Sequence, residues 1–155
     1  MRRHLVGVIG AAHPSSAGYT LALEVGRRLA AADVVLVCGG LGGVMEAASR
    51  GCCEAGGEVI GLLPGPDASA ANPFVTLPVP TNMGHARNVI IAHTAEVLIS
   101  IEGEYGTLSE MAIALKLGRA VFSWRPTHTL PDVYLVSSAK EAVEKSLQSL
   151  VGRRT

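Results

Sequence analysis

The stretch SIEGEYGTLSEMAIALK, residues 100–116, sets three carboxylates, Glu102, Glu104 and Glu110, around Gly103, Gly106 and Thr107. It begins as the end of an apolar strand and finishes with helical spacing. A glycine turn that opens a helix presents free backbone N–H groups and the positive end of the helix dipole, so an anion is its natural guest. Two further stretches have the same form. GAAHPSSAG follows LVGVIG and carries Gly10, Ser15 and Ser16; CGGLGGVME follows VVLV and carries Gly39, Gly40, Gly42, Gly43, Met45 and Glu46. Any one such turn is explained by a tight strand-to-helix connection. Three of them predict a phosphate-bearing ligand held by backbone amides.

Two charges stand where their helices should be apolar. At about 100° per residue, the neighbours of Arg87 around its helix are Met83, Ile90 and Ile91, while His85 and Asn88 lie on another face. An unpaired buried charge is costly, so Arg87 either reaches a partner or ligand or snorkels past the helix edge. Glu110 is flanked by Ile113, Ala114 and Leu117. Thr107 and Glu110 have capping-box spacing, which predicts a bond from the Thr107 amide back to Glu110. That spacing is compatible with a second role for Glu110 at the mouth of a pocket.

Other chemistries lack support. GVIGAAHPSSAG does not give G-x-G-x-x-G, and no acidic residue closes the second strand, which argues against a nicotinamide-dependent dehydrogenase. Decarboxylation of an amino acid needs a cofactor electron sink, and Lys116, Lys140 and Lys145 lie on helix faces. No resident cofactor and no metal site is expected. Cys38, Cys52 and Cys53 lack metal-ligand spacing and read as reduced thiols, Cys38 as a small core residue.

The elements that must position these groups alternate. Strands are expected at 5–10, 34–40, 58–65, 96–101 and 120–124. Helices are expected at about 17–32, after residue 40 as far as Gly56 and Gly57, over 81–95, over 106–118 and at the C-terminus, the last with a Ser138–Glu141 capping box. VTLPVP, residues 75–80, reads as an edge segment because its prolines cannot donate to a ladder. Strands apolar on both faces belong in a parallel sheet covered by helices. The order predicts a single three-layer Rossmann-like α/β domain over 1–155, with a mostly parallel sheet of about six strands and helices on both faces.

Composition narrows the partners. Of 155 residues, 48% are hydrophobic, only 17% are charged, and the net charge is zero. A nucleic-acid binder would show a basic excess, and a membrane-surface protein would need one too. No stretch is long and apolar enough to span a bilayer. Reduced thiols place the protein in the cytoplasm. The apolar helices and the absence of charge repulsion favour a homodimer or higher homo-oligomer.

CGGLGGVMEAASRG, NMGHARNVIIAHTAEVLISI and EGEYGTLSEMAIALK occur in an order that resembles the Lonely Guy superfamily, from the first strand to about residue 124. The resemblance implies a Rossmann-like homodimer. Characterised members hydrolyse the N-glycosidic bond of cytokinin riboside 5′-monophosphates. Their signature, P-G-G-x-G-T-x-x-E with an arginine on the preceding helix, is matched by Gly103, Gly106, Thr107, Glu110 and Arg87. On that resemblance Arg87 and Glu110 would be catalytic, Glu110 stabilising positive charge on the ribose, while the glycine turns hold the 5′-phosphate. The signature proline is Glu102 here and its second glycine is Glu104. The layout is closer to a branch of short bacterial proteins similar to molybdenum cofactor carrier proteins, which bind rather than hydrolyse. The expected function is therefore binding of a phosphorylated ligand, nucleotide or pterin, with hydrolysis of a nucleoside 5′-monophosphate or a non-catalytic role as carrier or sensor of molybdenum cofactor or another such phosphate as the forms it could take. Glu104 is expected to turn outward and Glu102 to sit in solvent; the other account of the acidic turn is a cationic ligand or a metal-bridged phosphate.

Overall fold

Each long apolar run of the sequence becomes a strand, and every strand pair is parallel. The computed structural model describes residues 2–152. Strands β1 (Leu5–Gly10), β2 (Val35–Cys38), β3 (Val59–Leu63), β4 (Leu77–Pro80), β5 (Val97–Ile101), β6 (Ala120–Trp124) and β7 (Tyr134–Leu135) form one sheet, ordered β4-β3-β2-β1-β5-β6-β7. β2 and β5 are buried at every position, which is why they read as unbroken apolar runs. Helices α1 (Ser16–Ala31), α2 (Val44–Glu54) and α5 (Ala139–Val151) pack on one face; α3 (Arg87–Thr94) and α4 (Tyr105–Lys116) pack on the other. This is the three-layer α/β arrangement the sequence predicts, with seven strands rather than about six.

The winding reverses between β1 and β5. From β1 the chain steps outward through β2, β3 and β4, then crosses back so that β5 pairs with the free side of β1. The register sets Gly10 beside Ile101. The turn after β1 therefore lies against the turn after β5, and the Ala11 amide donates to the Ile101 carbonyl at 3.1 Å. Open parallel sheets bind ligands at such a reversal, beyond the carboxyl ends of the strands.

Three details depart from the sequence reading. β4 is an edge strand, as the prolines require, but the opposite edge is β7, two exposed residues too short to show a period. The helix expected over 81–95 is a 3-10 turn at Gly84–Ala86 followed by α3 from Arg87. Residues 81–84 cannot join it, because Thr81, Asn82 and Gly84 donate their amides to Leu63, Gly65 and Pro64 at the exit of β3. At α5 the expected cap forms: the Glu141 amide donates to Ser138 Oγ at 3.1 Å. The Glu141 carboxylate, however, pairs with Ser137 rather than with the cap amide.

Candidate functional site

A cavity of about 420 Å³ opens at the reversal point, within the size range of small-molecule sites. Its wall is built from the end of β1 and its turn, from Gly39 and Met45 after β2, from the approach to α3, and from the start of α4. Of the residues singled out by sequence, Gly10, Gly39, Met45, Arg87, Gly106, Thr107 and Glu110 come together here.

Arg87 begins α3 and reaches across to β2. A Cβ on Gly39 would fall on the Arg87 guanidinium, with Met45 Sδ only 2.6 Å away. The bare Cα of Gly39 is thus what lets the charge lie on the cavity floor. Arg87 Nε is buried without a hydrogen-bond partner, and burial lowers the pKa of the guanidinium despite the Glu110 carboxylate nearby. An unpaired buried donor costs about 1–3 kcal/mol. Such a cost persists where a ligand supplies the missing acceptor.

Glu110 lies on the buried face of α4 with Thr107, Met111 and Ala114, whereas Leu117 is exposed. The expected capping box does not form. Helix α4 starts at Tyr105 with Glu104 at the cap position, three residues before Thr107, and no side chain caps it. Glu110 therefore has no amide to bond, and it makes no direct ion pair with Arg87. Burial dominates and pushes its pKa up to about 8; Arg87 offsets part of that shift. At neutral pH the group is mostly a neutral acid facing the cavity. Burial likewise raises the pKa of the Cys38 thiol beneath Gly39, so Cys38 stays protonated.

The three helix starts differ. At α2 the Val44 amide donates to Ala11 O, but the Met45 and Glu46 amides have no acceptor within the described residues. At α4 the first donor with a partner is Leu108, bonded to Glu104 O, which leaves the Gly106 and Thr107 amides open at the cavity wall. At α1 the cap itself is occupied, while the Ser16 and Ala17 amides have no acceptor among the described residues. Ser15 Oγ accepts from the Gly18 amide at 3.0 Å, and the Glu102 carboxylate accepts from the Ser15 amide at 3.0 Å and from the Ser15 hydroxyl. Glu102 is thus not in the solvated turn expected of it. Ser15 and Ser16 do not line the cavity.

The remaining candidates shape the turns. Gly42 is exposed with nothing near it, Gly40 packs against Leu63, and Gly43 presses on the carbonyls of Ala11 and Ala12. Gly103 makes room for the Thr107 hydroxyl, and Glu46 sits in the first turn of α2 away from the cavity wall. Glu104 is exposed, yet it does line the cavity rim.

A family model described as the SLOG cluster4 family matches residues 3–151. The chain belongs to that family. The SLOG cluster4 match extends past residue 124, where the sequence likeness to the Lonely Guy superfamily was expected to stop, and takes in β7 and α5. An uncharacterised protein of Archaeoglobus fulgidus is 42% identical over 97% of this chain and 99% of its own length. Among solved structures, the molybdenum cofactor binding protein of the phototrophic bacterium Rippkaea orientalis superposes with a TM-score of 0.91 at 31% identity, covering 97% of this chain and 99% of its own. The Moco carrier protein of Chlamydomonas reinhardtii superposes with a TM-score of 0.89 at 30% identity, with the same coverage.

Sequence reasoning missed three cavity residues of this SLOG cluster4 chain. His13 lies in the turn after β1, and His85 and Asn88 flank Arg87. The helical wheel had turned His85 and Asn88 away. For His85 it failed because residue 85 belongs to the 3-10 turn, whose angular step differs from that of α3; Asn88 lies in the first turn of α3, beside Arg87. Their proximity to Arg87 in sequence was the usable signal. Among the described residues no group of three His, Cys, Asp or Glu side chains comes together as a metal-ligand set.

Proposed function

We propose that this protein binds a small phosphorylated ligand of the pterin type and holds it as a carrier, without turnover. One observation carries the reading: the buried, unpaired Arg87 donor and the open starts of α2 and α4 share a single cavity. A phosphate there would receive charge-assisted bonds from Arg87 and amide bonds from the helix starts. The relatives at 31% and 30% identity are a molybdenum cofactor binding protein and a Moco carrier protein, and molybdopterin bears a phosphate. The cofactor would be cargo here.

The departures from the hydrolase signature favour holding over hydrolysis: Glu102 and Glu104 replace its proline and second glycine. The hydrolytic reading rests on Arg87 and Glu110 occupying signature positions at one cavity. Isothermal titration with molybdenum cofactor, alongside incubation with AMP and isopentenyladenosine monophosphate, separates the two. Saturable binding with no release of free base is expected. Release of base at a rate that scales with protein would install the hydrolase instead.

The proposed carrier acts as a cytoplasmic homodimer. Met83, Val89 and Leu117, exposed at 50%, 39% and 37%, give the α3–α4 side apolar surface, and the three cysteines are unpaired. The zero net charge gives no basic excess for nucleic acid. No helix of the described residues is long and apolar enough to cross a membrane.

A further inference from the structure

Glu110 meets the cavity without a partner. It is only 6% exposed, lines the open space, and makes no hydrogen bond or ion pair among the described residues. Around it stand Arg87 of α3, whose Nε donor is likewise buried and unpaired, and the Cys38 thiol at the end of β2, which burial keeps protonated. His13, His85 and Glu104 line the same cavity but are exposed. A carboxylate stripped of water and given no donor is costly, so this surrounding favours the neutral acid. Burial raises its pKa to about 8, although the Arg87 charge pulls the other way. A neutral acid has an O–H to donate, whereas a carboxylate only accepts. The buried wall of the cavity thus holds two donors, the Arg87 guanidinium and the Glu110 acid, and no bond between them consumes either. An incoming oxyanion reinforces that state, because negative charge beside Glu110 opposes its ionisation.

We propose that Glu110 binds the ligand as a hydrogen-bond donor, its acid O–H meeting an oxygen of the ligand's anionic group beside Arg87, so that ionisation of Glu110 releases the ligand. The proton stays on Glu110 throughout. This reverses the role that the Lonely Guy resemblance implies, in which a carboxylate stabilises positive charge. An ionised Glu110 would set like charge against the oxyanion at close range. The inference rests on the anion-binding role proposed above for the cavity, and it adds the group that makes that binding depend on pH.

Inorganic sulfate is the probe, because its own charge does not change between about pH 6.5 and pH 9. It is titrated into the wild-type chain, Glu110→Gln, Glu110→Leu and Arg87→Ala. Glutamine keeps a donor that cannot ionise, and leucine removes the donor at similar volume. At about pH 6.5, Glu110→Leu should bind sulfate about tenfold more weakly than wild type, and Glu110→Gln should recover most of that loss. At about pH 9, wild-type affinity should have fallen about tenfold further than that of Glu110→Gln. Charge changes at His13, His85 and Glu104 are common to both proteins and cancel in that ratio. Parallel pH profiles for wild type and Glu110→Gln would overturn the proposal. So would Glu110→Leu binding as tightly as wild type, or Glu110→Gln binding as weakly as Glu110→Leu. Arg87→Ala separates this failure from that of the cavity reading. If sulfate binds wild type and is lost in Arg87→Ala while the Glu110 variants match wild type, the cavity stands as the anion site and only the donor role falls. If wild type binds no sulfate, or Arg87→Ala binds it equally, the cavity reading falls and this inference falls with it.

Discussion

Glu102 and Glu110 stand at the two ends of one nine-residue stretch, the turn after β5 and the first half of α4, and meet opposite fates. Glu102 leaves the cavity side, crosses to α1 and is satisfied by two donors from Ser15. Glu110 stays at the cavity, buried, with no hydrogen bond and a pKa pushed up to about 8. The first carboxylate is met by donors from within the chain. The second is stripped of water and holds a proton. The difference shows that a carboxylate near a glycine turn does not by itself repel phosphate: one is spent as an internal counter-group, and the other carries no net charge at neutral pH.

The contrast breaks most visibly through Glu110. The folded protein keeps its proton up to about pH 8, whereas the unfolded chain releases it near 4.5. Folding thus binds a proton across that window, and stability falls as pH rises through it, by about 1.4 kcal/mol per unit. Denaturant titrations at about pH 6 and pH 9 should show wild type losing roughly 2–3 kcal/mol more than Glu110→Gln between the two. Parallel pH profiles would mean that Glu110 ionises freely in the fold.

Next in size is Arg87→Ala. Ligand affinity should drop roughly 30-fold, about 2 kcal/mol, with the melting temperature nearly unchanged because the half-buried side chain makes no ion pair or hydrogen bond that the fold would lose. Gly39→Ala, read by the same titration, should follow in weaker form by pushing the guanidinium off the cavity floor. Ser15→Ala deletes both the α1 cap and a donor to Glu102, and should cost about 1 kcal/mol in chemical denaturation. The smallest effect is expected of Glu104→Gly at the rim, where removing an exposed like charge should tighten phosphate by less than about 1 kcal/mol, and less still at high salt.

Much of this layout was legible because it is local. Runs such as VLISI declare buried parallel strands, and the glycine turns after them declare helix starts. Pro78 and Pro80 mark β4 as an edge. Arg87 and Glu110 stand out because each breaks an apolar helix face. The failures were of two physical kinds. One boundary depends on tertiary bonds: residues 81–84 are tied to the exit of β3. The start of α4 at Tyr105 lies one residue before the expected 106, which removes Thr107 from the cap position. The fate of Glu102 depends on Ser15 and Gly18, which no local pattern connects to it. His85 was lost because a 3-10 turn was read with α-helical spacing.

The central claim is that one cavity, floored by Arg87, takes a phosphorylated pterin. Its most direct test is equilibrium titration of the wild-type chain and Arg87→Ala with molybdenum cofactor near neutral pH. Saturable one-to-one binding to the wild type, sharply weakened in the variant, is the predicted result. Absence of binding to a folded wild-type chain, or equal affinity in Arg87→Ala, would contradict it.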